Sequence, residues 1–193
     1  MASPHDAFVT IVSGLPRSGT SMMMRMISDG GIAPLIDNIR KADADNPEGY
    51  YEFEPVKQTK KDASWLGQAG GKVVKMVYRL LYDLPGGYQY RVIFMRRKLE
   101  EVIKSQEVML ERKGKAGGDM SDEKLIGLFR DEINKCLTWL RGNPAFAFIE
   151  VDYNEMVSSP GPLVARLNEF LGGSLDTAKM NAVVDPKLYR QRK

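Results

Sequence analysis

Residues 9–24 read VTIVSGLPRSGTSMMM, an apolar segment that leads through a glycine-bounded loop into a second apolar segment. The loop has the spacing of a phosphate-binding loop, with four residues between Gly14 and Gly19. A nucleotide hydrolase places a lysine directly after the second glycine, whereas this chain has Thr20 there. The positive charge lies earlier, at Arg17. The sequence therefore predicts a site that holds an anionic phosphate group but is not built to hydrolyse ATP or GTP.

The residue types around this loop suit an anion. Gly14 and Gly19 can adopt backbone angles that a side chain would forbid, so the N–H groups of residues 18–21 can turn toward one point. A helix that begins near Thr20 would add unpaired N–H donors and the positive end of its dipole. Arg17 adds a charged fork, and the first helical residues add hydroxyl groups. The alternative is an ordinary strand–turn–helix connection without a ligand.

Composition and charge argue against several other classes of protein and site. A chain of 193 residues with a net charge of +3 predicts one domain over residues 1–193, and this charge excess is too small to argue for nucleic acid. No segment approaches a membrane span and no secretory signal pattern is present, so a cytoplasmic location is expected. Cys136 is the only cysteine and falls on an apolar stripe, which indicates a core position and excludes an intrachain disulfide. His5 is the only histidine and precedes the first strand, which disfavours a zinc site or a Ser–His–Asp triad.

Strand-like and helix-like segments alternate along the chain. Short apolar runs predict strands over residues 8–13, 72–77, 91–95 and 145–151. Helical periodicity and breakers predict helices over residues 20–29, 54–66, 99–112, 122–141 and 162–171. This alternation predicts an α/β protein with a three-layer, P-loop-type fold, in which helices flank a central parallel sheet of four to five strands.

A second group of charged residues follows the third predicted strand. Residues 96–98 are all basic, and they lie where a parallel strand ends and a helix begins, which is the edge that binds ligands in open α/β sheets. Ser105 follows Arg97 by eight residues, just over two helical turns, so both can face one side. This pair would suit a second phosphate. The alternative is that the cations are solvated or pair with Glu100 and Glu101.

Both segments resemble motifs of one known family. The loop GLPRSGTS is similar to the 5′-phosphosulfate loop of sulfotransferases that use 3′-phosphoadenosine 5′-phosphosulfate (PAPS), and RRKLEEVIKS resembles their 3′-phosphate motif. The stretches NPEGYYE and IEVDYNEMVSSPGPLVARLNEFLG resemble further segments of small bacterial-type members. The resemblance covers most of residues 9–172, and the two phosphate motifs in this order are more specific than either alone.

The resemblance implies roles for individual residues and a reaction. It implies in-line transfer of a sulfuryl group from PAPS, as co-substrate and without a metal, to a hydroxyl or amine of an acceptor. Arg17 would contact the sulfuryl group and its bridging oxygen, and Lys75 would face the sulfuryl group from a strand. The remaining cofactor-binding positions that it implies are Pro16, Ser18, Gly19, Thr20 and Ser21 for the 5′-phosphate and Arg97 and Ser105 for the 3′-phosphate.

One departure from the family pattern concerns the general base. The histidine that family members often carry two residues after the strand lysine is replaced by Val77. A carboxylate must then take the acceptor proton, and Glu52 is the first candidate because its segment can cover the pocket. Glu48 and Glu54 are alternatives. Glu52 could instead be an ion-pair partner of Arg17 or Lys75, or cap the next helix.

Two other functions stay open. A P-loop kinase would require magnesium, for which Asp152 after the fourth strand is the candidate ligand. A non-catalytic nucleotide-binding module of the same fold would explain the missing histidine. The acceptor is expected to be a small molecule, a glycan or a peptide. Residues 112–119 and 190–193 are two further basic segments. An apolar acceptor pocket has its candidate lining in Tyr50, Tyr51, Phe53, Trp65, Tyr78 and Tyr82.

Overall fold

The structure is a computed structural model, and it describes residues 8–43, 46, 49–112, 114 and 120–185. Several residues named above therefore lie outside the described part of the chain: His5, Glu48, residues 113 and 115–119, and the C-terminal Arg190, Arg192 and Lys193.

Four strands form one parallel sheet. They are β1 (Val9–Gly14), β2 (Val73–Lys75), β3 (Tyr90–Arg96) and β4 (Phe146–Asp152), in the spatial order β2-β1-β3-β4. In the register of β1 with β3, Gly14 is opposite Met95, so the glycine loop and the basic segment leave the sheet at the same edge on neighbouring strands. All four predicted strands are present, and the predicted α/β fold with a parallel sheet is confirmed.

Helices cover both faces of the sheet. They are α1 (Thr20–Gly30), α2 (Leu99–Arg112), α3 (Asp122–Arg141), α4 (Tyr153–Ser158), α5 (Pro160–Phe170) and α6 (Thr177–Ala182). Side chains alternate along each strand, so Ile11 belongs to the core beneath α2 and α3, and Val12 belongs to the core beneath α1, α5 and α6. Cys136 is buried in the first of these cores, where burial raises the pKa of its thiol to about 11, and this confirms the predicted core position. No helix in the described ranges is long and apolar enough to cross a membrane.

The prediction of one helix over residues 54–66 is wrong. The segment forms two short 3₁₀ stretches, Glu54–Gln58 and Ser64–Gln68. The hydroxyl of Thr59 donates to the carbonyl of Val56 at 2.6 Å, and the carboxylate of Asp62 accepts from the amide of Ser64 at 2.9 Å. These local side-chain bonds compete with continuous helical pairing and divide the segment. A third 3₁₀ stretch, Tyr78–Asp83, follows β2.

Helices α4 and α6 were not predicted. Each has six residues, too few for a helical period to be recognised. Both begin at an aspartate whose carboxylate accepts a backbone N–H: Asp152 from Glu155 at 2.9 Å and Asp176 from Lys179 at 3.0 Å. Asp152 is therefore a helix cap in this structure, and the described residues contain no group of three or more His, Cys, Asp or Glu side chains that could hold a metal ion.

Candidate functional site

The loop after β1 is closed by its own hydrogen bonds. The side chain of Ser18 donates to the carbonyl of Leu15 at 2.7 Å, and its amide donates to the same oxygen at 3.2 Å. A Cβ on Gly14 would lie 2.7 Å from the carbonyl oxygen of Met95, so only glycine fits against β3 here. Both donors of Ser18 are thus used inside the loop. The N–H of Ser18 donates to the carbonyl of Leu15, whereas the sequence predicted that this group turns toward an anion.

The first turn of α1 provides the donors that remain. Gly19 has a left-handed backbone conformation, with φ of 95°, and no side chain caps the helix. Within the described part of the chain, the amide N–H groups of Gly19, Thr20 and Ser21 have no hydrogen-bond partner. Three adjacent N–H groups at the positive end of a helix form an anion-binding geometry.

Lys75 ends β2 beside this helix turn. Its ammonium group donates to the hydroxyl of Ser21 at 3.3 Å and to the carbonyl of Tyr50. Burial lowers the pKa of Lys75 to about 8; the nearby Glu52 carboxylate opposes this shift and the Arg40 guanidinium adds to it. Lys75 is therefore held at the loop, and the charge of its side chain changes with pH close to neutrality.

Arg97 lies on the other side of the loop, at the end of β3. Its side chain is 8% exposed and pairs at 2.9 Å with Glu101, whose side chain is 0% exposed. One terminal nitrogen donates to the main-chain carbonyl of Arg17 at 3.0 Å, and the ring of Tyr153 packs 4.6 Å from the guanidinium carbon. Asn154 donates to the second oxygen of Glu101 at 2.9 Å. The buried carboxylate thus orients Arg97 toward the glycine loop.

Ser105 connects the two predicted phosphate motifs directly. Its hydroxyl accepts a hydrogen bond from Nε of Arg17 at 2.9 Å, and Gln106 donates to the carbonyl of Pro16 at 3.3 Å. Arg96 points elsewhere and pairs with Glu150 at 2.6 Å. Of the three basic residues 96–98, Arg97 is the one that contacts the loop. Both interpretations of the sequence apply to it, since it also pairs with Glu101.

A cavity of about 490 Å³ contains this arrangement. Among the described residues, seven basic and two acidic side chains line it: Arg17, Arg25, Arg40, Lys57, Lys75, Arg97 and Arg112, with Glu52 and Asp185. Of the predicted site residues, Pro16, Arg17, Gly19, Thr20, Ser21, Glu52, Lys75, Arg97 and Ser105 line the cavity, and the buried Ser18 does not. The excess of basic groups suits an anionic ligand.

Glu52 lines the cavity but has other partners than those expected. It pairs with Arg40 at 2.6 Å and lies 3.7 Å from the ammonium group of Lys57, rather than pairing with Arg17 or Lys75. Arg40 also packs over the ring of Tyr50. The alternative base, Glu54, pairs with Lys57 at 2.5 Å and is not part of the cavity lining.

The predicted aromatic lining is correct only in part. Tyr50 and Phe53 line the cavity. Trp65 and Tyr78 are buried in the core, and Tyr82 packs on Trp139 with a ring distance of 4.8 Å. Tyr51 packs against the core beneath α1 and α5. Trp65 and Tyr78 lie in the core because the burial of aromatic area stabilises the fold, whereas Tyr82 is 44% exposed.

Four residues that build the site were not predicted from the sequence. Arg40 and Lys57 pair with Glu52, Tyr153 packs against Arg97, and Asn154 donates to Glu101. Glu101 itself was named as a pairing alternative for the cations, from its position four residues after Arg97 on a predicted helix. The four others had no such local signal.

Comparison with known proteins gives structural neighbours alone. No family model and no curated protein sequence matches the chain. The sulfotransferase domain of an olefin synthase from Synechococcus PCC 7002 has a TM-score of 0.56 and 15% identity, over 96% of this chain and 83% of that one. A sulfotransferase domain from the curacin biosynthetic pathway has a TM-score of 0.51 and 14% identity, over 96% and 78%. A sulfotransferase from Alicyclobacillus acidocaldarius has a TM-score of 0.50 and 14% identity, over 100% and 98%. The chain therefore has the fold of sulfotransferase domains.

Proposed function

We propose that this protein is a sulfotransferase that moves a sulfuryl group from PAPS to a hydroxyl or amine of an acceptor. The observation that carries the proposal is the meeting of two anion-binding groups in one cavity. The glycine loop with the first turn of α1 forms one, and Arg97 with Ser105 forms the other. A donor with phosphates at two ends of one adenosine needs two such groups, whereas a nucleoside diphosphate needs one.

The residues present fit this co-substrate. The partnerless N–H groups of residues 19–21 would hold the 5′-phosphate, and Arg97 with Ser105 would hold the 3′-phosphate. PAPS supplies a sulfuryl group on a phosphate that can leave. The prevalence of basic over acidic side chains around the cavity balances the charge of such a ligand.

The chain's own groups then have separate tasks. Arg17 and the Lys75 ammonium would stabilise the negative charge that develops on the bridging oxygen, and removal of one such donor costs about 3 to 4 kcal/mol of barrier. Glu52 would accept the proton of the attacking hydroxyl, a contribution of about 10²- to 10⁴-fold in rate. Its ion pairs with Arg40 and Lys57 orient the carboxylate along the cavity wall.

A second candidate is a non-catalytic module that binds the same nucleotide. Two observations favour it: Val77 occupies the position that the resemblance assigns to a histidine, and Glu52 is already engaged in two ion pairs. Such a module would bind the desulfated nucleotide and show no turnover with any hydroxyl or amine acceptor.

Calorimetric titration tests the nucleotide. We expect 3′,5′-adenosine bisphosphate to bind more tightly than ADP with magnesium. Arg97→Ala should weaken bisphosphate binding by about 2 kcal/mol, since a hydrogen bond to a charged group is lost. Arg96→Ala is the matched control, because Arg96 is not part of the cavity lining and should leave binding unchanged.

A second variant controls for loss of folding in Arg97→Ala. Arg97→Ala leaves Glu101 buried without its partner, so Ser105→Ala should be measured beside it and should weaken bisphosphate binding with a smaller effect on stability. Preference for magnesium-ADP would overturn the proposal in favour of a kinase. Bisphosphate binding without its production from PAPS, across alcohols, phenols and amines, would favour the non-catalytic module.

A further inference from the structure

An apolar wall of six side chains lines part of the cavity, and the elements that carry it also place Lys57 and Arg112 in the lining. The wall is built from three separate elements, the first 3₁₀ stretch with the residue before it, the third 3₁₀ stretch with the residue before it, and the last turns of α2. Its members are Phe53, Val56, Val77, Leu80, Val108 and Met109.

Two members of the apolar wall follow proposed reacting residues closely in the sequence. Val77 follows Lys75 by two residues, and Phe53 directly follows Glu52. On two elements the chain therefore passes from a charged side chain at the site to an apolar one in the same cavity. A hydroxyl or amine held between Lys75 and Glu52 would have the rest of its molecule against Val77 and Phe53.

Val77 is the most informative member of the wall. Val77 is 40% exposed, although it lies between the buried Met76 and the buried Tyr78. A large aliphatic side chain that is solvated inside a concave site gains free energy when an apolar ligand covers it. Sugar hydroxyls placed there would lose water without gaining partners from aliphatic side chains, which is unfavourable.

We infer that the acceptor is an alcohol, phenol or amine carried on an apolar aliphatic or aromatic body, and not a sugar. This inference rests on the proposed function, since it assigns the same cavity. Val108 and Met109 extend the wall along α2, and the flexible thioether of Met109 lets it adapt to bodies of different shape.

Binding of two probes tests the acceptor class. The probes are 2-naphthol and N-acetylglucosamine, titrated by calorimetry into the full chain with and without saturating 3′,5′-adenosine bisphosphate. We expect 2-naphthol to bind at least about tenfold more tightly than the sugar, and Val77→Asn to weaken naphthol binding by about tenfold. The matched control is Leu128→Asn, a residue of α3 that is 43% exposed and not part of the cavity lining.

Each outcome decides one of the two proposals. Sugar binding equal to or tighter than naphthol binding overturns the apolar acceptor, as does naphthol binding that Val77→Asn and Val108→Asn both leave unchanged. Naphthol bound at the wall by a protein that does not bind the bisphosphate would retain the apolar site and remove the proposed function. Bisphosphate binding without naphthol binding would retain the nucleotide site of the proposed function and overturn the apolar acceptor.

Discussion

The pKa of Lys75 is set by burial and by several neighbouring charges. Removal from water lowers its pKa to about 8, Glu52 opposes the shift, and Arg40, Arg17 and Lys57 add to it. Its hydrogen bonds to Ser21 and to the carbonyl of Tyr50 hold it at the loop. The charge of this residue therefore depends on pH near neutrality, which is unusual for a lysine.

This pKa predicts pH-dependent binding. Below pH 8 the ammonium form predominates and attracts an anion, and above pH 8 the neutral amine does not. We expect the dissociation constant for 3′,5′-adenosine bisphosphate to rise as the pH increases above about 8, with tenfold per pH unit as the upper limit for one titrating group. Lys75→Arg should remove this dependence, because a guanidinium stays charged. Calorimetry from pH 7 to pH 9.5 measures both, and an equally steep profile in the arginine variant would contradict the assignment.

Glu52 is the proposed general base, and a substitution at this residue tests that role. Glu52→Gln keeps the shape of the side chain and removes its proton acceptor, so turnover should fall by about 10²-fold or more while bisphosphate affinity is retained. Glu54→Gln is the matched control, since Glu54 is not part of the cavity lining. Steady-state rates and calorimetry separate the two effects. Normal turnover in Glu52→Gln with intact bisphosphate affinity would remove Glu52 as the base.

At the scale of elements, the loop and α1 depend on a contact with α4. A Cβ on Gly19 would lie 2.3 Å from a ring carbon of Tyr153, and Gly19 also has a positive φ. Tyr153 in turn packs against Arg97. The turn that presents the N–H donors is thus fixed from outside by a residue that follows β4.

Gly19→Ala tests this contact. The substitution adds both steric overlap and backbone strain, so we expect the free energy of unfolding to fall by about 3 kcal/mol. Gly87→Ala is the matched control: Gly87 has a similar φ of 89°, but a Cβ there would meet nothing within 4 Å, so strain alone should cost about 1 kcal/mol. Urea unfolding measures both variants, and equal losses would show that the Tyr153 contact carries no energy.

At the scale of the whole molecule, strand order assembles the site. β1 lies between β2 and β3, so Lys75, the glycine loop and Arg97 leave three neighbouring strands at one edge of the sheet. A ligand that bridges the loop and Arg97 binds only when these strands are paired. Binding should therefore stabilise the fold as a unit.

Thermal unfolding checks this coupling. At a bisphosphate concentration of about 100 times its dissociation constant, the stabilisation should be about 2.7 kcal/mol. For a domain of this size that corresponds to a rise in Tm of roughly 5 to 10 °C. Magnesium-ADP at the same concentration should shift the Tm by less. Equal shifts for the two ligands would contradict recognition of the second phosphate.

The four strands and the long helices α2 and α3 were predictable because their periodicity is local. The bounds of α2 and α3 agree with the prediction, whereas α4 and α6 are too short to show a period. The prediction of one helix over residues 54–66 was wrong because short-range side-chain bonds, which leave little pattern in a sequence, divide the segment. Side-chain bonds from Thr59 and Asp62 decide its breaks, and such bonds are weak signals in a sequence.

The sequence by itself determined the alternation of strands and helices, the glycine spacing of the loop and the basic residue at the end of β3, because each depends on residues close together in the chain. Only the tertiary structure decided that Arg97 rather than Arg96 meets the loop, that Arg40 and Lys57 hold Glu52, and that an apolar wall begins at Val77. These outcomes depend on which segments of the chain meet at one cavity. Burial and electrostatic pairing there are set by the tertiary arrangement, and no local pattern encodes it.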